Sequence, residues 1–425
     1  MQQKDTMNTT TPQTLKGFRD FLPAQKRQRD LVAAKMKTVF ETFGFEPLET
    51  PTLEYGSLLT GKYGEEAEKL IYLFTDRGDR QVGLRYDQTV PTARVLAQYQ
   101  AQLPRNFRRY QVQNVFRADK PQKGRFREFT QCDCDIFGSN TLVADAEILA
   151  VFYQAFAALG MSSLMIEIND RRSLMAALSP FASDIVPVAS IIQSIDKLDK
   201  ISPEVVSQEL QSKGLSEAEA NKALVAIESA QPTDELRETM ELAVTLGVPA
   251  TSLRFNAQIA RGLDYYTGLI FEGKIEGYAV GSLGGGGRYD NLISELSGVD
   301  MPAVGFGIGF DRTVEAAEAL GLLPNTTSSA QVLVALLDET TITRSLAVAQ
   351  ELRKAGISTE IYPTVDKLAK QLKMADQKSI RFVVLVGETE LTSNTITLKN
   401  MRTGEQSTTS LSLAIEQLEQ SYLLL

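Results

Sequence analysis

The stretch VGSLGGGGRYDNL holds four consecutive glycines, Gly284 to Gly287. Without a Cβ, such a run cannot fix its own conformation by side-chain packing, so it serves a sharp turn or the close approach of another group. It is not a phosphate-cradling loop of the Walker type, which needs a Lys-Ser or Lys-Thr pair after its last glycine. Here the run ends in Arg288-Tyr289-Asp290. A second glycine pattern follows in PAVGFGIGFDRTVEAAEAL. There Gly305, Gly307 and Gly309 alternate, so on a strand they strip one face of side chains. A flat ring could lie on that backbone, with Arg312 at the start of the next helix to stack on it or meet a phosphate. The spacing is GxGxG without a βαβ context, so it is not a dinucleotide fingerprint. Taken alone, the alternation suits close strand–helix packing better than a ligand.

The rest of the chain sets these segments in an α+β protein of two or three domains, since 425 residues exceed one compact core. Residues 1–14 read as a disordered polar tail without the apolar stretch of a signal peptide. A long amphipathic helix is expected from about Pro23 to a terminating Gly44, with a strand entering at Pro51. DRQVGLRYDQTVP, FRRYQVQNVFRAD and RFREFTQCDCDIFG read as antiparallel hairpin strands, and ADAEILAVFYQAFAALG as an apolar helix ended by Gly160. Between about residues 170 and 247 the composition turns helical, as an insertion would. Strand and glycine character then returns up to about residue 325. After the linker LLPNTTSSAQ, residues 331–425 alternate as βαβαβ, the pattern of a small, largely parallel sheet.

Histidine is absent, which excludes a histidine base, a histidine-liganded metal and a Ser-His-Asp triad. Two cysteines make no disulfide framework and suit a reducing cytoplasm. No run is long and apolar enough to span a bilayer. The net charge of −9 argues against indiscriminate nucleic-acid binding but leaves room for a specific RNA met by local basic patches. RNFRRYQVQNVFRADKPQKGRFRE is one such patch, and Lys367, Lys370 and Lys373 on a late helix are another.

Strand period sorts the remaining polar residues. Extended, GLRYDQTVP puts Arg85, Asp87 and Thr89 on one face. RFREFTQCDCDIF puts Arg125, Arg127, Phe129, Gln131, Asp133 and Asp135 on one face and turns Cys132, Cys134 and Ile136 away. Val115, Arg117 and Asp119 align likewise. A solvated sheet face would show the same alternation. The chemistry on offer, however, would hold a nucleoside triphosphate, an ammonium and a purine ring. Two cysteines without histidine leave a zinc site short of ligands, so no metal site is read at Cys132-Asp133-Cys134 and both thiols are expected in the core. In ARGLDYYTGLIFE, Arg261 taken alone suits a salt bridge, and Tyr265 and Tyr266 suit a half-buried core.

Together these segments resemble the histidyl-tRNA synthetases, class II aminoacyl-tRNA synthetases, over nearly the whole chain. GFEPLETPTLE resembles class II motif 1 at Pro51, NVFRADKPQKGRFREFTQ motif 2 at Arg117, and VGFGIGFDR motif 3 at Arg312. RGLDYYTGLIFE and GGGGRYDNL resemble the family's histidine-specific signatures. The resemblance implies a catalytic domain over residues 15–325, built on an antiparallel sheet flanked by helices. It also implies an anticodon-binding domain over residues 331–425, a homodimer formed partly through motif 1, and the substrates L-histidine, ATP with Mg²⁺, and tRNA(His). It implies that Arg117 holds the α-phosphate, Asp119 and Arg125 contact ATP, Phe129 stacks on adenine and Arg312 grips the far side of the nucleotide. Asp87, Thr89 and Gln131 are expected at the substrate ammonium, Asp135 and Tyr266 at its imidazole, and Tyr265 and Tyr289 in the same pocket. Arg261 is expected to reach both the carboxylate and the α-phosphate. The glycine run would then pass under the bound amino acid. The competing reading is a catalytically silent paralogue that senses histidine as a regulatory subunit; such proteins lack the terminal domain and commonly lose the nucleotide arginines.

Overall fold

The computed structural model describes residues 12–60, 68–122, 124–199, 201–260, 265–278, 281–324 and 328–423. Residues 1–11 of the expected tail and the expected site residue Arg261 lie outside the described residues. The chain divides into two compact units, one of Arg29–Leu323 with the described residues up to Asp20, the other of Pro324–Leu425 with Phe21–Gln28.

The first helix, Pro23–Thr42, opens on a proline, whose fixed φ suits a first helical turn. It closes at Gly44, which takes φ +75° and donates its N–H to the Glu41 carbonyl, while Phe45 donates to Phe40. Val32, Met36 and Phe40, four residues apart, form the buried stripe of this helix. The stripe packs on the sheet core, with the Phe40 ring 5.5 Å from that of Tyr110.

Eleven strands follow in this unit: β1 Glu46–Pro47, β2 Leu53–Tyr55, β3 Leu73–Thr75, β4 Gln81–Leu84, β5 Phe107–Phe116, β6 Glu128–Phe137, β7 Leu164–Asp170, β8 Leu253–Phe255, β9 Leu269–Ile275, β10 Gly284–Arg288 and β11 Ala303–Gly309. Eight of them form one sheet in the order β1-β5-β6-β11-β10-β9-β7-β8. Its central pairings are antiparallel, and only the two edge pairings, β1 with β5 and β7 with β8, are parallel. The alternation read in β6 holds: Cys132, Cys134 and Ile136 enter the core, while Asp133 and Asp135 occupy the opposite face. Helix Leu142–Ala157 covers the core face. Its Phe152 meets Phe156, Phe271 and Phe306 edge-on at 5.1, 5.2 and 5.1 Å. Gly273 makes that fit possible, because a Cβ there would sit 2.5 Å from the Phe152 ring.

A three-stranded sheet, β2-β4-β3, lies apart from the large one. Here one expectation is corrected. Extended structure stops at Leu84, and Thr89 begins helix Thr89–Gln98. The Asp87 carboxylate accepts from the Val90 N–H, which captures a free donor of the first helical turn and bends the chain into a helix. Arg85 therefore shares no strand face with Asp87 and Thr89. It is buried, donating to the carbonyls of Asn114 and Thr50 at 2.6 and 2.7 Å.

Between β7 and β8 the chain is helical, from Arg171–Leu178 through Asp234–Thr245. Capping fixes two of these starts: Ser216 and Glu219 exchange both bonds of a capping box, and Thr233 accepts from the Leu236 N–H.

The second unit holds β12 Val332–Val334, β13 Thr359–Ile361, β14 Phe382–Leu385, β15 Ile396–Asn400 and β16 Gln406–Thr409 in the order β13-β12-β14-β15-β16. β12, β13 and β14 pair in parallel, as βαβαβ requires. Two further strands, absent from the sequence reading, then add antiparallel.

Candidate active site

The site grows from the register of the large sheet. Across β5, β6, β11 and β10, Arg109 pairs with Asp135, Asp135 with Gly305, and Gly305 with Gly287. One step along, Gln111, Asp133, Gly307 and Gly285 form the next row. Partners in register share a sheet face, so the polar side chains of β5 and β6 stand beside a floor of bare backbone on β11 and β10. At Gly305 a Cβ would collide with the Asp135 carboxylate, and at Gly287 with the Leu269 carbonyl and the Tyr266 ring. Glycine at these two positions lets Asp135 lie down along the sheet and Tyr266 pack over it. The two glycine patterns of the sequence are thus adjacent strands of one surface.

Asp135 is fully enclosed between two donors. Arg109, 1% exposed, forms an ion pair with it at 2.7 Å, and the Tyr289 hydroxyl donates to its Oδ1. Burial raises the Asp135 pKa above the ordinary carboxylate range, against the opposing pull of Arg109 and Tyr289. Burial, together with the carboxylate charge, pushes the Tyr289 phenol well above its usual value. Burial also works against the Arg109 charge, yet the acids around it outweigh that and raise its pKa. Tyr265 and Tyr266 complete an aromatic wall: their centroids are 4.7 Å apart, and Tyr265 meets Tyr289 edge-on at 5.9 Å. Of the expected imidazole pair, Asp135 therefore bonds Tyr289, while Tyr266 stands over Gly287.

Beside Asp135 lies a layer rich in acceptors. The Gln88 amide donates to the Gln131 carbonyl at 2.9 Å, and Gln111 links Thr50 to Gln113. Gln88 Oε1, Gln131 Oε1 and Asp133 Oδ1 are buried and accept no hydrogen bond from the described residues. Burial raises the Asp133 carboxyl to about 8, with Asp135 and Asp87 adding to the rise against Arg109 and Arg117.

On the same face, past Gly307 and Gly309, a cavity of about 600 Å³ opens between β6, β11 and the segment 117–125. Arg117, Asp119, Arg125, Phe129, Glu272 and Arg312 line it, and Asp196 reaches it from the helical insertion. The Arg117 guanidinium lies 4.3 Å from the Tyr86 ring centroid and 5.2 Å from that of Phe129, and its Nε donates to the Tyr86 carbonyl. Arg312 reaches the Ser282 carbonyl at 3.4 Å. Arg125 is the most exposed of the set, 3.8 Å from Asp119.

Sequence reasoning missed two parts of this site. Arg109, part of the basic run in the sequence, is buried against Asp135, and neighbouring Arg108 is paired with Glu147, so that run is not one basic surface. Its register with Asp135 was implicit in the strand period. Asp311, beside Arg312, gathers Arg19 at 2.7 Å, Arg29 at 2.6 Å and the Thr130 N–H at 2.8 Å. Arg19 also covers the Phe126 ring at 3.3 Å. No short-range pattern joins residues so far apart in sequence.

The sequence model of the family described as histidyl-tRNA synthetase matches residues 17–313, and that of an anticodon binding domain matches residues 331–421. A histidine--tRNA ligase of Wolinella succinogenes is 40% identical over 421 residues, covering 93% of this chain and 95% of that protein. One of Cytophaga hutchinsonii is 37% identical over 438 residues, covering 93% and 96%. The crystal structure of histidyl-tRNA synthetase from Nostoc sp. PCC 7120 superposes with a TM-score of 0.84 at 30% identity, covering 98% of this chain and 100% of that one.

Proposed function

Because the chain belongs to the histidyl-tRNA synthetase family, we propose that it activates L-histidine with ATP and passes the histidyl group to tRNA(His). The carrying observation is the enclosed Asp135, held by Arg109 and Tyr289 on a glycine floor that continues into a cavity lined by Arg117 and Arg312. A chain without histidine suits this reaction. The substrate carboxylate is already ionised at neutral pH, so it attacks the α-phosphorus without a general base, and pyrophosphate leaves. Charge gathering on the phosphate oxygens is the quantity to be stabilised, and guanidinium groups do that. A hydroxyl of the terminal adenosine of the tRNA then takes the histidyl group, and AMP departs.

In this reading Arg117 holds the α-phosphate, Arg312 grips the far side of the nucleotide, Asp119 and Arg125 contact ATP, and Phe129 offers a ring to adenine. Arg261 joins the carboxylate and the phosphate. Asp87, Thr89 and Gln131 receive the ammonium. Asp135, with Tyr265, Tyr266 and Tyr289, encloses the imidazole, a ring with one donor and one acceptor nitrogen in its neutral form. Mg²⁺ enters with ATP. Asp119, Asp196 and Glu272 line the cavity and would offer one or two carboxylates to an ion carried chiefly by phosphates. When bound, it offsets phosphate charge. The silent-paralogue reading is less well supported, because Arg117 and Arg312 line the cavity and the anticodon-domain match is present.

The expected result is ATP–pyrophosphate exchange that depends on added histidine and on no other amino acid. Exchange driven equally by another amino acid, or none with any, would overturn the reading.

The homodimer is part of the same proposal. By register Leu53, Tyr55 and Phe74 share one face of the small sheet, and they are 45–59% exposed, large side chains that a second copy would cover. Phe74→Asp is expected to shift the protein from dimer to monomer in sedimentation at micromolar concentration. A monomeric parent protein would remove the dimer from the account. Two buried free thiols suit the cytoplasm, and no helix among the described residues is long and apolar enough to cross a membrane.

A further inference from the structure

The acceptor-rich layer beside Asp135 contains more than the expected ammonium ligands. Asp133 sits in register between Gln111 on β5 and Gly307 on β11. Its side chain is about 95% buried, and its Oδ1 lies 3.0 Å from where a Cβ on Gly307 would stand, so it is aimed over bare backbone. The Gln131 amide nitrogen, a donor, lies 3.8 Å from the same point. Asp133 Oδ1, Gln131 Oε1 and Gln88 Oε1 are buried without a hydrogen-bond partner among the described residues. A buried acceptor without a donor is costly, and three in one layer are rarely left so by packing alone. Once Asp133 is ionised, the group that serves all three must bring several N–H donors and no acceptor, which describes an alkylammonium.

We propose that Asp133 is a binding residue for the substrate ammonium, a second acid beside Asp87 that receives the amino group from the sheet floor. This rests on the amino-acid-activating reading above. It predicts a proton exchange as well as a contact. The groups facing Asp133 are Arg109 on β5, Arg117 just beyond it, Asp135 on its own strand and Asp87 ahead of helix Thr89–Gln98; β11 contributes only glycine. In the empty site the carboxyl is held protonated to about pH 8, chiefly by burial. An incoming ammonium stabilises the carboxylate, so at pH 7 histidine should bind with release of close to one proton.

The test is a cycle between ligand and protein. Dissociation constants of histidine and of imidazolepropionate, which is histidine without its amino group, are measured for the parent protein and for Asp133→Asn, a near-isosteric change. Removing the amino group should weaken binding to the parent at least about 10-fold more than binding to the variant. Calorimetry at pH 7 in buffers of different ionisation enthalpy should show proton release for the parent with histidine, and none for the variant. Equal amino-group penalties in both proteins, within about 2-fold, would overturn the proposal, as would histidine binding by the parent without proton release. A parent that binds no histidine at all would instead bring down the functional reading beneath it. Asp133→Asn that retains its ATP dissociation constant excludes general collapse of the sheet.

Discussion

Replacing Arg117 by alanine is expected to cut histidine-dependent ATP–pyrophosphate exchange by about 10²–10³-fold, the usual cost of removing one preorganised charge stabiliser. The side chain suits that task because it is held before any ligand arrives. Tyr86 and Phe129 flank its guanidinium, and the Tyr86 carbonyl takes its Nε–H. The remaining N–H groups are left to face the cavity without reorganisation at the moment of reaction. Lysine at this position keeps the charge but loses the planar fork, so Arg117→Lys should recover only part of the rate. The loss should appear in the maximal rate more than in the half-saturating histidine concentration. Near-parental exchange by Arg117→Ala in a folded protein would sink the mechanism.

The second large effect concerns stability. Arg109→Leu should destabilise the protein by about 3–5 kcal/mol in denaturant titration, the range found when one member of a buried ion pair is deleted. The cost arises at Asp135, which would keep its enclosure and lose its countercharge; both side chains are less than 10% exposed, so water cannot screen the loss. Adding Asp135→Asn to Arg109→Leu should therefore recover a substantial part of the stability, although histidine activation stays lost. A single mutant within about 1 kcal/mol of the parent would show that the pair is structurally idle.

Sequence reasoning was strongest where one local rule decided the outcome. In β6, period two alone sent Cys132 and Cys134 to the core and Asp133 and Asp135 to the other face. The alternation of Gly305, Gly307 and Gly309 marked a stripped face, and Gly44 ended its helix by backbone geometry. It failed where two weak signals competed. GLRYDQTVP carries strand-forming Tyr86, Thr89 and Val90, but one hydrogen bond from the Val90 N–H to Asp87 starts a helix inside it. NTITLKN and EQSTTS carry too little apolar contrast to stand out as the last two strands of the terminal sheet. Arg109 was the instructive miss: in a basic run, charge suggested a surface, whereas the strand register assigned it a buried acid 26 residues away.

The reverse of β6 carries a built-in stopwatch. The protein's two thiols, Cys132 and Cys134, lie directly behind the strand that bears Asp133 and Asp135; burial raises both of their pKa values. Nothing can alkylate them until the sheet parts from the helices on its core face, among them Pro23–Thr42, whose Met36 Sδ lies 4.0 Å from Cys132 Sγ. The rate at which a thiol reagent consumes them therefore reports how often that strand opens. Saturating ligand should slow the reaction by the factor its own affinity dictates.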